Sequence, residues 1–123
     1  MIQWSDFFKI VSVERAHPNY VILIELNPGH EIFKGHFPGN PVVPGVCMVQ
    51  IIKDILKNIY NKEFTMKQAS QLKFLAVVNP NENKTLRVDL AVLKEDPTGM
   101  VVSGSFNKDE LIFLKFKMTV SEK

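Results

Sequence analysis

The chain has 123 residues, 46% hydrophobic and 23% charged, the makeup of one globular domain spanning residues 1–123. A net charge of +2, with no Lys/Arg block, gives no electrostatic case for a nucleic-acid binder, and none is expected; no apolar run approaches the ~20 residues of a membrane helix. The start, Met1-Ile2-Gln3-Trp4-Ser5-Asp6, lacks the basic and apolar stretches of a signal peptide, and the single Cys47 cannot form an internal disulfide, so a reducing cytoplasm is expected.

Phe7 to Glu14 and Tyr20 to Leu26 are rich in β-branched and aromatic residues. The turn residues Arg15-Ala16-His17-Pro18-Asn19 separate them, which predicts an antiparallel pair. A Pro/Gly loop follows, from about Asn27 to Val43. Within and just beyond it, Gly35-His36-Phe37-Pro38-Gly39-Asn40-Pro41-Val42-Val43-Pro44-Gly45 sets one histidine among residues that stiffen or sharply turn the backbone. Pro38-Gly39 has the residue order of a type II turn.

From Val46 to Tyr60 the pattern becomes helical. Met48, Val49, Ile51, Ile52, Ile55, Leu56 and Ile59 form a wide apolar face, and Gln50, Lys53, Asp54, Lys57 and Asn58 form the opposite stripe. Downstream, Gln68 to Val78, Thr85 to Lys94, Met100 to Phe106 and Glu110 to Val120 are expected strands, joined by turns at Asn79–Asn83, Asp96–Gly99 and Asn107–Asp109. Leu86, Val88, Leu90 and Val92 should face inward, as should Ile112, Leu114, Phe116 and Met118. The fold class is α+β, one long helix wrapped by a curved antiparallel sheet of about six strands.

The chemistry gathers at His36, which can act as acid or base near neutral pH. Pro44 stands where a helix should begin. Val43 before it offers no capping oxygen, so the amides of Gly45 and Val46 are left facing outward at the positive end of the helix dipole. Such amides can hold a carbonyl oxygen that becomes negative, and Gly45 allows close approach to the backbone.

The run from Gly35 to Val46 resembles the signature of the β-hydroxyacyl-(acyl-carrier-protein) dehydratases, and Lys73-Phe74-Leu75-Ala76-Val77-Val78-Asn79-Pro80 resembles a second segment of that family, an apolar strand ending in Pro. The resemblance covers roughly Asn27 to Val120 and implies the hot-dog fold. It also implies dehydration of a 3-hydroxyacyl thioester to a trans-2-enoyl thioester in fatty-acid or related lipid or polyene synthesis. His36 would be the catalytic base or acid, and the Gly45 amide would polarise the thioester carbonyl. Phe37, Pro44 and Val46 would border the bound acyl chain. No cofactor is implied, because phosphopantetheine arrives with the carrier protein; a CoA thioester is the other substrate form. Homodimers or larger assemblies are implied, with each site built from both subunits.

One position departs from the family. Its second catalytic residue is a Glu or Asp fourteen residues after the histidine, where this chain has Gln50; an amide transfers no proton at neutral pH. Some members place Gln four residues further on, where this chain has Asp54, so acid and amide are exchanged along one helical face. Asp54 could serve through Gln50 or a water, or Gln50 could orient a hydroxyl while His36 moves the proton alone. Pattern alone would leave Asp54 in solvent between Lys53 and Lys57.

Two alternatives share the fold. One is a weak or inactive acyl- or carrier-binding subunit paired with an active homologue; the other is a thioesterase using Asp54 or Glu31 to activate water. Cys47 is expected to be a packing residue rather than a dipole-activated thiolate. His30 is expected to be a solvated loop residue, and His17 has no assigned role. The three histidines lack a second ligand at metal spacing, so no zinc site is expected.

Overall fold

The computed structural model describes residues 6–34 and 41–123. Six strands, β1 (Phe8–Ala16), β2 (Asn19–Leu26), β3 (Phe64–Phe74), β4 (Thr85–Asp96), β5 (Gly99–Lys108) and β6 (Leu111–Glu122), accompany one α-helix, α1 (Gly45–Tyr60). They form one antiparallel sheet in the order β1-β2-β4-β5-β6-β3. The chain therefore leaves the β1 side after β2, passes through α1, and returns at the opposite edge as β3. This is the hot-dog arrangement expected from the sequence.

The alternating residues of the strands supply the concave wall. Tyr20, Ile22, Ile24 and Leu26 of β2, Leu86, Val88, Leu90 and Val92 of β4, and Leu114, Phe116, Met118 and Val120 of β6 are all buried. They join Cys47, Met48, Ile51, Ile52, Ile55 and Leu56 of α1 in one core. Burying both the apolar stripe of a helix and one face of a sheet is what holds such a layer pair together. The helix stops at Asn61, which takes the left-handed conformation (φ 56°) and donates its N–H to Lys57 O at 2.8 Å, a C-terminal cap open to Asn.

Three sequence expectations are corrected. Pro44 is the residue before the helix rather than its first: its φ of −62° and ψ of 147° are extended, and Gly45 opens α1. The third strand lies earlier than expected, at Phe64–Phe74 instead of Gln68 to Val78. Register shifts between Met66 and Gln68 and between Ala69 and Gln71 break the alternation that marks a strand in sequence. Phe113 points into the core, at 1% exposure, while Ile112 is only half-buried. A further irregularity explains it: Phe106 pairs with Leu114 and Asn107 with Ile112, leaving Phe113 as the extra residue of a bulge.

That bulge shapes the region around the start of α1. Phe113 O accepts hydrogen bonds from Leu75 N (2.8 Å) and Ala76 N (3.3 Å), and Val78 O accepts one from Val43 N (2.9 Å). Residues 75–78 thus leave the sheet ladder and bridge between β6 and the segment that enters the helix.

Candidate active site

Two neighbours meet at the N-terminus of α1. The first intrahelical bonds run from Cys47 N (3.0 Å) and Met48 N (3.3 Å) to Pro44 O, so the amides of Gly45 and Val46 lie ahead of the hydrogen-bonded turns. Pro44 provides no side-chain cap, and the first turn carries no acidic residue. Among the described residues, no first-turn carboxylate offsets the positive end of the helix dipole.

A groove of about 470 Å³ opens there, lined by Val42, Val43, Pro44, Gly45, Met48 and residues 74–78. Its walls are apolar, and Phe74, Leu75 and Val77 keep about half or more of their surface exposed. Phe74 leans over the helix start: a Cβ placed on Gly45 would lie 2.8 Å from its Cζ. Glycine at 45 is what lets ring and helix backbone come so close. The sequence placed Phe74 in a strand and gave it no role at the site. The signal was present in the bulky apolar run 74–78, but contacts between distant segments, at Phe113 O and between Val43 and Val78, hold that run by the helix start.

The expected site residues divide into three sets. Pro44 and Gly45 line the groove, and Val46 stands beside it at 71% exposure. Gln50 and Asp54 line a separate, smaller cleft of about 100 Å³, together with Lys53, Lys57, Glu63, Phe64 and Lys123. His36, Phe37 and the Pro38-Gly39 turn lie outside the described residues.

Asp54 is not left to solvent as the polar stripe implied. It is half-buried, and Gln50 Nε2 donates to its Oδ1 at 3.0 Å. Burial pushes its carboxyl above the ordinary Asp range, while the Gln50 bond and then Lys57 and Lys53 pull the other way.

The other candidates have structural roles. His30 is buried at 7% exposure, contrary to the expectation of a solvated residue. Its Nδ1 accepts from Ile32 N at 3.1 Å, capping the short 3-10 turn Glu31–Phe33, and its ring meets Phe7 edge-on. His17 Nε2 faces Glu95 Oε2 at 3.3 Å on the surface. Among the described residues no three His, Cys, Asp or Glu side chains gather as metal ligands, and no helix is long and apolar enough to cross a membrane.

Cys47 is fully buried, and burial pushes its thiol up to about 11, so desolvation outweighs any pull from the helix dipole. We expect iodoacetamide to leave Cys47 unmodified at pH 8 in the native protein and to alkylate it once denaturant is added. Rapid modification of the native protein, read by mass spectrometry, would contradict this burial.

The sheet, the helix and the groove at its start define a hot-dog protein, and comparison with known proteins narrows the class. The family model for ApeI-like proteins, the ApeI dehydratase, matches residues 12–109. The chain is 33% identical over 105 residues to the 3-hydroxyacyl-[acyl-carrier-protein] dehydratase FabZ of Oenococcus oeni, covering 78% of this chain and 71% of that relative. It spans from 49% to 66% of the length of further FabZ relatives. The chain belongs to the ApeI-like dehydratase family.

Among solved structures, the dehydratase heterocomplex ApeI:P from Xenorhabdus doucetiae superimposes with a TM-score of 0.71 at 18% identity, covering 92% of this chain and 96% of that one. A hypothetical thioesterase with coenzyme A from Streptococcus pneumoniae reaches 0.67 at 13% identity, covering 97% and 89%. At these identities the structural likenesses establish the shared fold.

Proposed function

We propose that this protein dehydrates 3-hydroxyacyl thioesters to trans-2-enoyl thioesters, with His36 as the proton-transferring side chain. The observation that supports this most is the Gly45 amide, uncapped at the positive end of α1 and opening onto an apolar groove. The thioester carbonyl oxygen accepts a hydrogen bond from that amide, and the acyl chain lies against Met48 and residues 74–78. His36 removes the Cα proton, and the electron pair moves toward the carbonyl oxygen, where the amide and dipole offset the developing charge. As the pair returns to form the Cα=Cβ bond, the 3-hydroxyl leaves with the proton His36 had taken, as water. The substrate arrives on the phosphopantetheine arm of a carrier protein or as a CoA ester.

The active form in this reading is an assembly of at least two copies. At ~100° per residue, Gln50 lies about 140° around the helix from Gly45, and the two residues line different clefts. A second copy can bring one chain's Gln50 toward an acyl group held at the other's Gly45, as the family resemblance implies.

A second reading comes from Gln50 itself. A subunit without the usual carboxylate could act as the inactive half of a mixed pair, and the Xenorhabdus relative is described as a heterocomplex. A thioesterase would need Asp54 or Glu31 to activate water. Incubating the purified chain with a 3-hydroxyacyl thioester separates the three. Enoyl absorbance without free thiol is expected, free thiol would favour the thioesterase, and neither signal would favour the inactive subunit.

A further inference from the structure

Asp54 places a carboxylate where one is not cheaply held. It is half-buried, and Lys57 in the same cleft is paired with Glu63, at 3.2 Å. Its direct contact is the Gln50 amide, 3.0 Å from Nε2 to Oδ1. The charged groups facing the pair are Lys53 and Lys57 of α1, Glu63, and Lys123 at the end of the chain; Phe64 closes the cleft. In that bond the amide nitrogen faces the carboxyl and the carbonyl oxygen faces away from it. A carboxylate, which can only accept hydrogen bonds, holds the amide in this one orientation. The ammonium donors of the cleft, Lys53, Lys57 and Lys123, cannot enforce this, because an ammonium would draw the amide oxygen instead.

The geometry points to Asp54 as a positioning residue that locks the Gln50 amide with Oε1 outward, so that this oxygen accepts a hydrogen bond from the 3-hydroxyl of the acyl substrate. Gln50 then holds the leaving hydroxyl without transferring a proton, and the exchange of acid and amide along the helix has a use. The identity of the ligand rests on the dehydratase reading; the orientation of the amide does not. An i,i+4 pair that served only the helix would contribute a small stabilisation and nothing to ligand choice.

The test uses two unreactive thioether analogues of equal length, one 3-hydroxyacyl and one saturated, with affinities measured by calorimetry. Wild type should prefer the hydroxylated analogue by about five-fold, the size of one neutral hydrogen bond. That preference should vanish in Gln50→Ala and in Asp54→Asn, since an Asn amide can face Gln50 either way round. Asp54→Glu should restore part of it, and Asp54→Asn should add nothing in the Gln50→Ala background.

Thermal midpoints measured in parallel separate positioning from stability. A preference that survives Gln50→Ala would overturn the proposal, as would an Asp54→Asn variant that melts earlier while keeping the preference. Failure of either analogue to bind would also overturn it. A hydroxyl preference in wild type without any turnover would sustain the proposal and count against the dehydratase reading.

Discussion

Replacing His36 with Ala is expected to lower interconversion of 3-hydroxyacyl and enoyl thioesters by ~10²–10⁴-fold, the usual worth of a positioned acid–base group. The loss should fall toward the upper end, because nothing at position 50 can take over: Gln50 has no titrating proton, and its amide nitrogen is already given to Asp54. The same reasoning predicts the shape of the pH profile. An imidazole acting as base must be neutral to accept the Cα proton, so the rate falls as pH drops and the ring protonates. A separate carboxylic acid that had to be protonated would add a second limb, with loss as pH rises through its own range. With His36 moving the proton alone, kcat/KM should rise with pH to a plateau. A bell-shaped profile would show that a second titrating group, Asp54 first among candidates, takes part in the proton transfer.

Gly45→Pro is the second large effect, and its value lies in removing one hydrogen while keeping the helix. Position 45 is the first residue of α1, where Pro is tolerated because the N–H it lacks has no helical partner. The preceding residue, Pro44, already has the extended ψ of 147° that a following Pro demands. The new Cβ would press on Phe74, 2.8 Å from its Cζ, but that ring is half-exposed and can turn outward. Gly45→Ala carries the same Cβ and keeps the amide, so it measures the cost of moving Phe74 by itself. The difference between the two variants should be ~10²–10³ in kcat, the typical cost of losing one carbonyl-holding donor. Equal rates in the two would remove the Gly45 amide from the mechanism.

What the sequence disclosed follows from where its signals are local. The helix was legible because its apolar stripe runs unbroken from Met48 to Ile59, and β4 because Leu86 to Val92 alternate without a bulge. The strand after the helix was misplaced because bulges between Met66 and Gln68 and between Ala69 and Gln71 interrupt its period. Phe113 was assigned outward for the same reason.

At the site, Pro44 and Gly45 announced a helix start with open amides, since that depends on neighbours in sequence. The groove beside them depends on Phe113 O capturing Leu75 N and Ala76 N, a contact between distant segments that no local pattern records. His30 hid its burial likewise, because the loop around it looks polar and its packing against Phe7 joins segments distant in sequence. The Gln50–Asp54 hydrogen bond was within reach of i,i+4 spacing; the burial that gives it weight was not.

The central claim is that this chain adds and removes water across Cα and Cβ of an acyl thioester. It is tested most directly by incubating the purified protein with a trans-2-enoyl thioester in ¹⁸O-labelled water and locating the label by mass spectrometry. Dehydratase chemistry run in reverse places ¹⁸O in the 3-hydroxyl of an intact thioester, with the enoyl absorbance falling in step, and this is the expected result. Label in a free carboxylate, or an enoyl thioester recovered unlabelled, would contradict the account.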